Sequence, residues 1–111
     1  MNILKKSRTI ETEFPCNETD LLDRFLDAFW AERGAAKNTL DAYRSDLLGL
    51  CSWLASEGKQ LETASRNDLQ DYFVELFKAG AKPSSSARLL SGMRRFYRYL
   101  LREGVIQVDP T

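Results

Sequence analysis

Apolar residues return at steps of three and four along most of this chain, and the steps break at glycine or proline. Leu21, Leu22, Phe25, Leu26, Phe29 and Trp30 form one such run, which predicts a first helix from about Glu18 to Arg33, stopped at Gly34. Asn17 and Asp20 stand at capping-box spacing before it. A second run, Leu40, Tyr43, Leu47, Leu50 and Leu54 with Cys51 and Trp53 beside it, predicts a helix from about Thr39 to Glu57, ended by Gly58. Asn38 and Asp41 repeat the cap spacing there, as Ser65 and Asp68 do before a third helix through about Lys78. That third helix would bury Leu69, Tyr72, Phe73, Leu76 and Phe77 before Gly80.

Pro83 and three serines open the fourth helix, which should end near Glu103 and Gly104. Its apolar side is Leu89, Leu90, Met93, Phe96, Tyr97, Leu100 and Leu101. Four one-sided faces joined by short connections predict an all-α fold, a compact four-helix bundle over residues 18–104. Residues 1–17 lack sustained periodicity and carry Pro15, so they read as a flexible N-terminal extension. Residues 105–111, with Asp109-Pro110, read as the start of a linker to a further domain.

Charge changes the picture more than composition does. The chain has 16 basic and 16 acidic residues and a formal net charge of zero. Yet between Lys82 and Arg102 there are six basic residues and no acidic one. At about 100° per residue, Arg88, Arg95, Arg98 and Arg102 share one sector of the fourth helix, with Ser84 and Ser91 between them, opposite its apolar face. A localised cationic stripe recruits a polyanion even when the chain as a whole is neutral.

Other chemistries find little support. The 111 residues contain no histidine, which removes the commonest near-neutral acid–base group and zinc ligand. Cys16 and Cys51 do not form a CxxC pair, and Cys51 falls on the apolar side of the second helix as a reduced core residue. No phosphate loop, dinucleotide fingerprint or calcium loop occurs, so no catalytic residue, cofactor or metal site is assigned. No apolar run reaches membrane-spanning length, and cytoplasmic residence is the expectation.

Candidate DNA contacts are Arg88 and Arg95 first, then Arg98, Arg44, Lys82 and Lys37. Ser84, Ser85 and Ser86 at one helix start, and Asn38 and Thr39 at another, suit phosphate through side chains and free backbone N–H groups. They suit capping of their own helices equally well. Two such helix starts would grip adjacent segments of DNA backbone. Arg88 and Arg95 lie opposite the core, so removing either should move stability by no more than about 0.5 kcal/mol. Arg94 stands at the border of the apolar face and is assigned an ion pair with Asp46 of the second helix. The competing reading is a protein-interaction or regulatory domain whose basic helix docks an acidic partner.

Two segments carry a family resemblance. Asn38-Thr39-Leu40-Asp41-Ala42-Tyr43-Arg44-Ser45-Asp46-Leu47, and the run from Ser84 to Leu100 containing Arg88-Leu89-Leu90-Ser91-Gly92-Met93-Arg94-Arg95-Phe96-Tyr97, resemble the N-terminal core-binding, SAM-like domain of bacterial tyrosine recombinases. Phe25-Leu26-Asp27-Ala28-Phe29-Trp30 and the Asp109-Pro110 ending are similar to the XerD branch of the Xer recombinases. The resemblance covers about residues 19 to 111. It implies a four-helix half-clamp on a double-stranded DNA recombination site, with the catalytic residues in a separate C-terminal domain. It further implies chromosome dimer resolution and segregation, with a second protomer of XerC type and a cell-division DNA translocase as partners. None of Tyr43, Tyr72, Tyr97 or Tyr99 is assigned as a nucleophile.

Overall fold

A computed structural model describes residues 16–111, so the first fifteen residues of the predicted extension lie outside the described residues. Among the described residues, four α-helices and one 3-10 turn make up the regular structure. They are α1 (Thr19–Arg33), α2 (Lys37–Ser56), the turn Leu61–Thr63, α3 (Arg66–Lys78) and α4 (Pro83–Arg102). α2 and α4 form the central pair, α1 lies across both, and α3 packs on α2.

The core is the seam that the spacing predicts. Leu22, Leu47, Leu50, Leu54, Met93, Phe96, Tyr97 and Leu100 are all fully buried or nearly so. Phe25 meets Phe96 edge-on with ring centroids 5.5 Å apart, and Phe96 meets Tyr97 at 5.1 Å. The Tyr97 hydroxyl donates to the Leu61 carbonyl at 2.7 Å, which ties the 3-10 turn to α4. Gly92 permits a close approach in the central pair: a Cβ there would stand 3.1 Å from Tyr43 Cδ1. Tyr43 therefore lies flat against α4, and its hydroxyl is 3.1 Å from Ser91 Oγ.

The helix starts differ from their predicted caps. Only the Ser65–Asp68 box forms as expected among these α-helix starts: Ser65 Oγ accepts from the Asp68 N–H at 3.1 Å, and Asp68 Oδ2 from the Ser65 N–H at 2.8 Å. α1 is capped at Glu18 and α2 at Ala36, neither through a side chain. α2 thus begins two residues early, and Asn38 and Thr39 lie inside its first turn. Glu18 is drawn elsewhere, because its Oε1 accepts from the Leu61 N–H at 2.6 Å.

Two apolar expectations also fail at helix ends. Phe77 is 82% exposed and Trp30 61% exposed. α3 buries only Asp68, Leu69 and Tyr72, near its start, so its last turn runs past the covered part of the bundle. Cys51 is in the core as expected, but it is not reduced: Cys16 and Cys51 form a disulfide. Spacing alone did not reveal that the chain preceding α1 turns back onto α2. At the other end, Ile106 is buried on the bundle, and Asp109 accepts from the Thr111 N–H at 2.8 Å.

Burial raises the pKa of Glu18 above the ordinary carboxylate range, against the opposing Leu61 N–H, and Glu18 Oε2 has no hydrogen-bond partner among the described residues. A carboxyl whose pKa is raised by folding favours the native state below its unfolded pKa, and that advantage is lost as pH rises through the folded value. Glu18→Gln should therefore stabilise the chain at about pH 7, with the gain shrinking towards about pH 4 as Glu18 itself becomes neutral. Urea unfolding of both proteins across that range checks this; a gain independent of pH would mean that the charge carries no penalty.

Candidate nucleic-acid interface

The fourth helix presents its cations along one long face because Pro83 starts it cleanly and no acidic residue interrupts it before Glu103. The cations are not equivalent once folded. Arg94 and Arg98 are exposed and have no carboxylate within salt-bridge distance among the described residues. Lys82, the N-cap residue of α4, is likewise exposed and unpaired by that measure. Arg95 is half-buried, its guanidinium lying 5.2 Å from the Phe29 ring centroid, and its Nε is buried without a hydrogen-bond partner.

Other predicted contacts are held by carboxylates. Arg44 Nε lies 3.1 Å from Asp23, Lys37 Nζ 2.7 Å from Asp41, and Arg102 Nη2 3.0 Å from Glu32. These are exposed pairs, individually weak and readily exchanged for another anion. Glu32 is correspondingly held below the ordinary carboxylate range by its bond from Arg102.

Arg88 is a different case, and it corrects the predicted Asp46–Arg94 pair. Arg88 Nε donates to Asp46 Oδ2 and Nη2 to Oδ1, each at 2.8 Å. Asp46 does bridge α2 to α4, but through Arg88. The reason is register. Tyr43 meets Ser91 and Asp46 meets Arg88, so rising numbers on α2 meet falling numbers on α4, and the pair is antiparallel. Arg94 lies six residues further along, about 9 Å away by helical rise, on the side turned to Arg66, Phe73 and Pro110.

The same register separates the two helix starts. Lys37, Asn38 and Thr39 lie at one end of the central pair and Ser84, Ser85 and Ser86 at the other, roughly 16 Å apart at the helical rise per residue. They do not bracket adjacent phosphates. The Ser86 N–H already bonds to the Lys82 carbonyl, which leaves the N–H groups of Ser84 and Ser85 outside the helical ladder. No serine is the cap, since Lys82 holds that position.

A shallow groove beside α4 brings together Arg33, Ser91, Arg94, Arg95 and Arg98. Arg33 was not among the sequence candidates. It closes the last turn of α1, where a basic residue ordinarily reads as a dipole partner, and only the crossing of α1 over α4 puts it in the groove. Four arginines around one groove, with no carboxylate among its lining residues, make a surface suited to phosphate oxygens.

Comparison with known proteins points the same way. The family described as "Phage integrase, N-terminal SAM-like domain" matches residues 22–104. The chain is 49% identical over 94 residues to the tyrosine recombinase XerD of Pseudomonas aeruginosa, covering 85% of this chain and 32% of that protein. It is 48% identical over 94 residues to XerD of Yersinia pestis (85% and 31%) and 43% identical over 91 residues to XerD of Haemophilus influenzae (82% and 31%). The chain thus spans about a third of the length of the curated relatives it matches.

Proposed function

The chain belongs to the phage integrase N-terminal SAM-like domain family, and from that membership we propose that it is the DNA-binding core-binding domain of a XerD-type tyrosine recombinase. The observation that carries the reading is the arginine groove of α4, which lies on the element with the densest family motif. Arg94, Arg98 and Arg33 take backbone phosphates, and Arg95 is braced on Phe29 beside them. Lys37, Asn38 and Thr39 at one end of the α2–α4 pair, and Lys82 with Ser84 to Ser86 at the other, contact two separate backbone segments and not adjacent phosphates. Arg44 joins them by exchanging Asp23 for phosphate.

We assign no strand-cleaving step to these residues. Cleavage and rejoining belong to the remainder of the recombinase, working on a double-stranded recombination site in chromosome dimer resolution. Its partners in this reading are a XerC-type protomer and a cell-division DNA translocase. Residues 105–111 lead towards the catalytic domain, and residence is cytoplasmic; among the described residues no helix is long and apolar enough to cross a membrane.

Fluorescence anisotropy with a labelled duplex tests the reading. With about six phosphates neutralised, affinity should fall about a thousandfold between roughly 50 and 200 mM salt. A chain that binds no duplex at the lower salt, yet captures an acidic peptide, is an interaction module and not a DNA grip.

A further inference from the structure

Arg88 sits on the DNA-facing helix but is poorly suited to a phosphate, and the reason points to what it does recognise. This inference rests on the proposed function and sharpens it. Asp46 is nearly enclosed, its side chain 14% exposed, whereas Arg88 remains 48% exposed. The two bonds from Nε and Nη2 fix the guanidinium plane against α2. With a carboxylate 2.8 Å away, the pair is locally neutral and a phosphate approaching it meets like charge.

The hydrogen-bonding capacity is not cancelled in the same way. Of the five N–H donors of an arginine, the fork to Asp46 uses two. Two of the other three, one on each Nη, project side by side from the far edge, away from Asp46. That edge fits a neutral partner offering two adjacent acceptors. In the major groove only guanine does so, through O6 and N7; adenine places a donor beside its N7, and cytosine presents a donor. Its unpaired neighbours Arg94 and Arg98 have the opposite character, free charge without a fixed plane.

We infer that Arg88 reads a guanine in the recombination site through O6 and N7, and that Asp46 is the positioning residue that makes it a reader of a base and not of the backbone. Duplexes selected from a randomised library by the unaltered chain should share a guanine at one position. Exchange of that guanine for adenine should lower affinity about 5- to 100-fold. 7-Deazaguanine, which lacks the N7 acceptor, should also weaken binding without any change in the protein. Arg88→Met keeps the length of the side chain without its donors and should lose the preference. Asp46→Asn should raise affinity for unselected duplex, steepen its salt dependence and flatten the guanine preference, with circular dichroism showing that the helices remain.

The inference is overturned if the selected duplexes share no guanine, if the preference survives both substitutions, or if Asp46→Asn weakens binding to unselected duplex. Each of these leaves the DNA-binding reading standing. Failure of the unaltered chain to bind any duplex at low salt removes that reading instead.

Discussion

Phe96→Ala should destabilise the bundle by about 3–5 kcal/mol, the largest loss expected from any single substitution here. Phe96 is completely buried, with one edge-on neighbour on α1, Phe25, and another on its own helix, Tyr97. Removing the ring therefore opens a cavity at the point where α1 and α4 are held together. A domain of this size has about 5–15 kcal/mol in total, so the variant would sit close to its unfolding threshold at physiological temperature. Urea unfolding measures the loss directly. DNA affinity should fall with the folded fraction while the salt dependence of the folded molecules stays the same, since no cation has been removed. A loss below about 2 kcal/mol would show that the centre of the core lies elsewhere.

The existence of the four helices was legible in the sequence because apolar spacing reports the angular position of each residue about its own axis. The cationic stripe from Lys82 to Arg102 was legible for the same reason. What spacing does not report is how far one helix slides along another. Arg88 and Arg95 are seven residues apart and share a face of α4, yet one lies level with Asp46 and the other beneath Phe29. Arg94 was matched to Asp46 by angle alone, and the antiparallel register of α2 and α4 places it too far along. Trp30 and Phe77 mark a second limit: helical periodicity shows which side is apolar, not whether a neighbour extends far enough to cover it. The Cys16–Cys51 bond and the place of Arg33 in the groove likewise depend on chain crossings that no local pattern encodes.

Arg88→Ala should cost about 1–2 kcal/mol, more than its exposed position on the helical wheel suggests. The cost arises mainly at its partner. Asp46 is largely enclosed and has both carboxylate oxygens committed to Arg88, so truncation takes away both of its side-chain donors. Asp46→Ala should cost less, because the half-exposed guanidinium can turn into solvent. The double variant should be less destabilised than the sum of the two, and a double-mutant cycle by urea unfolding measures that coupling. Arg94→Ala is the control and should lie within about 0.5 kcal/mol of the parent, since it leaves no carboxylate unpaired. Additive effects at Asp46 and Arg88 would show that the fork carries no stability, and a coupling between Asp46 and Arg94 instead would return the pair to the register expected from the wheel. The asymmetry also bears on function. Asp46→Ala removes a negative charge from the DNA face while releasing Arg88, so it should tighten binding to unselected duplex even as it weakens the fold. The cost of Asp46 to non-specific affinity is understandable if the fixed plane of Arg88 is what discriminates one base pair from another.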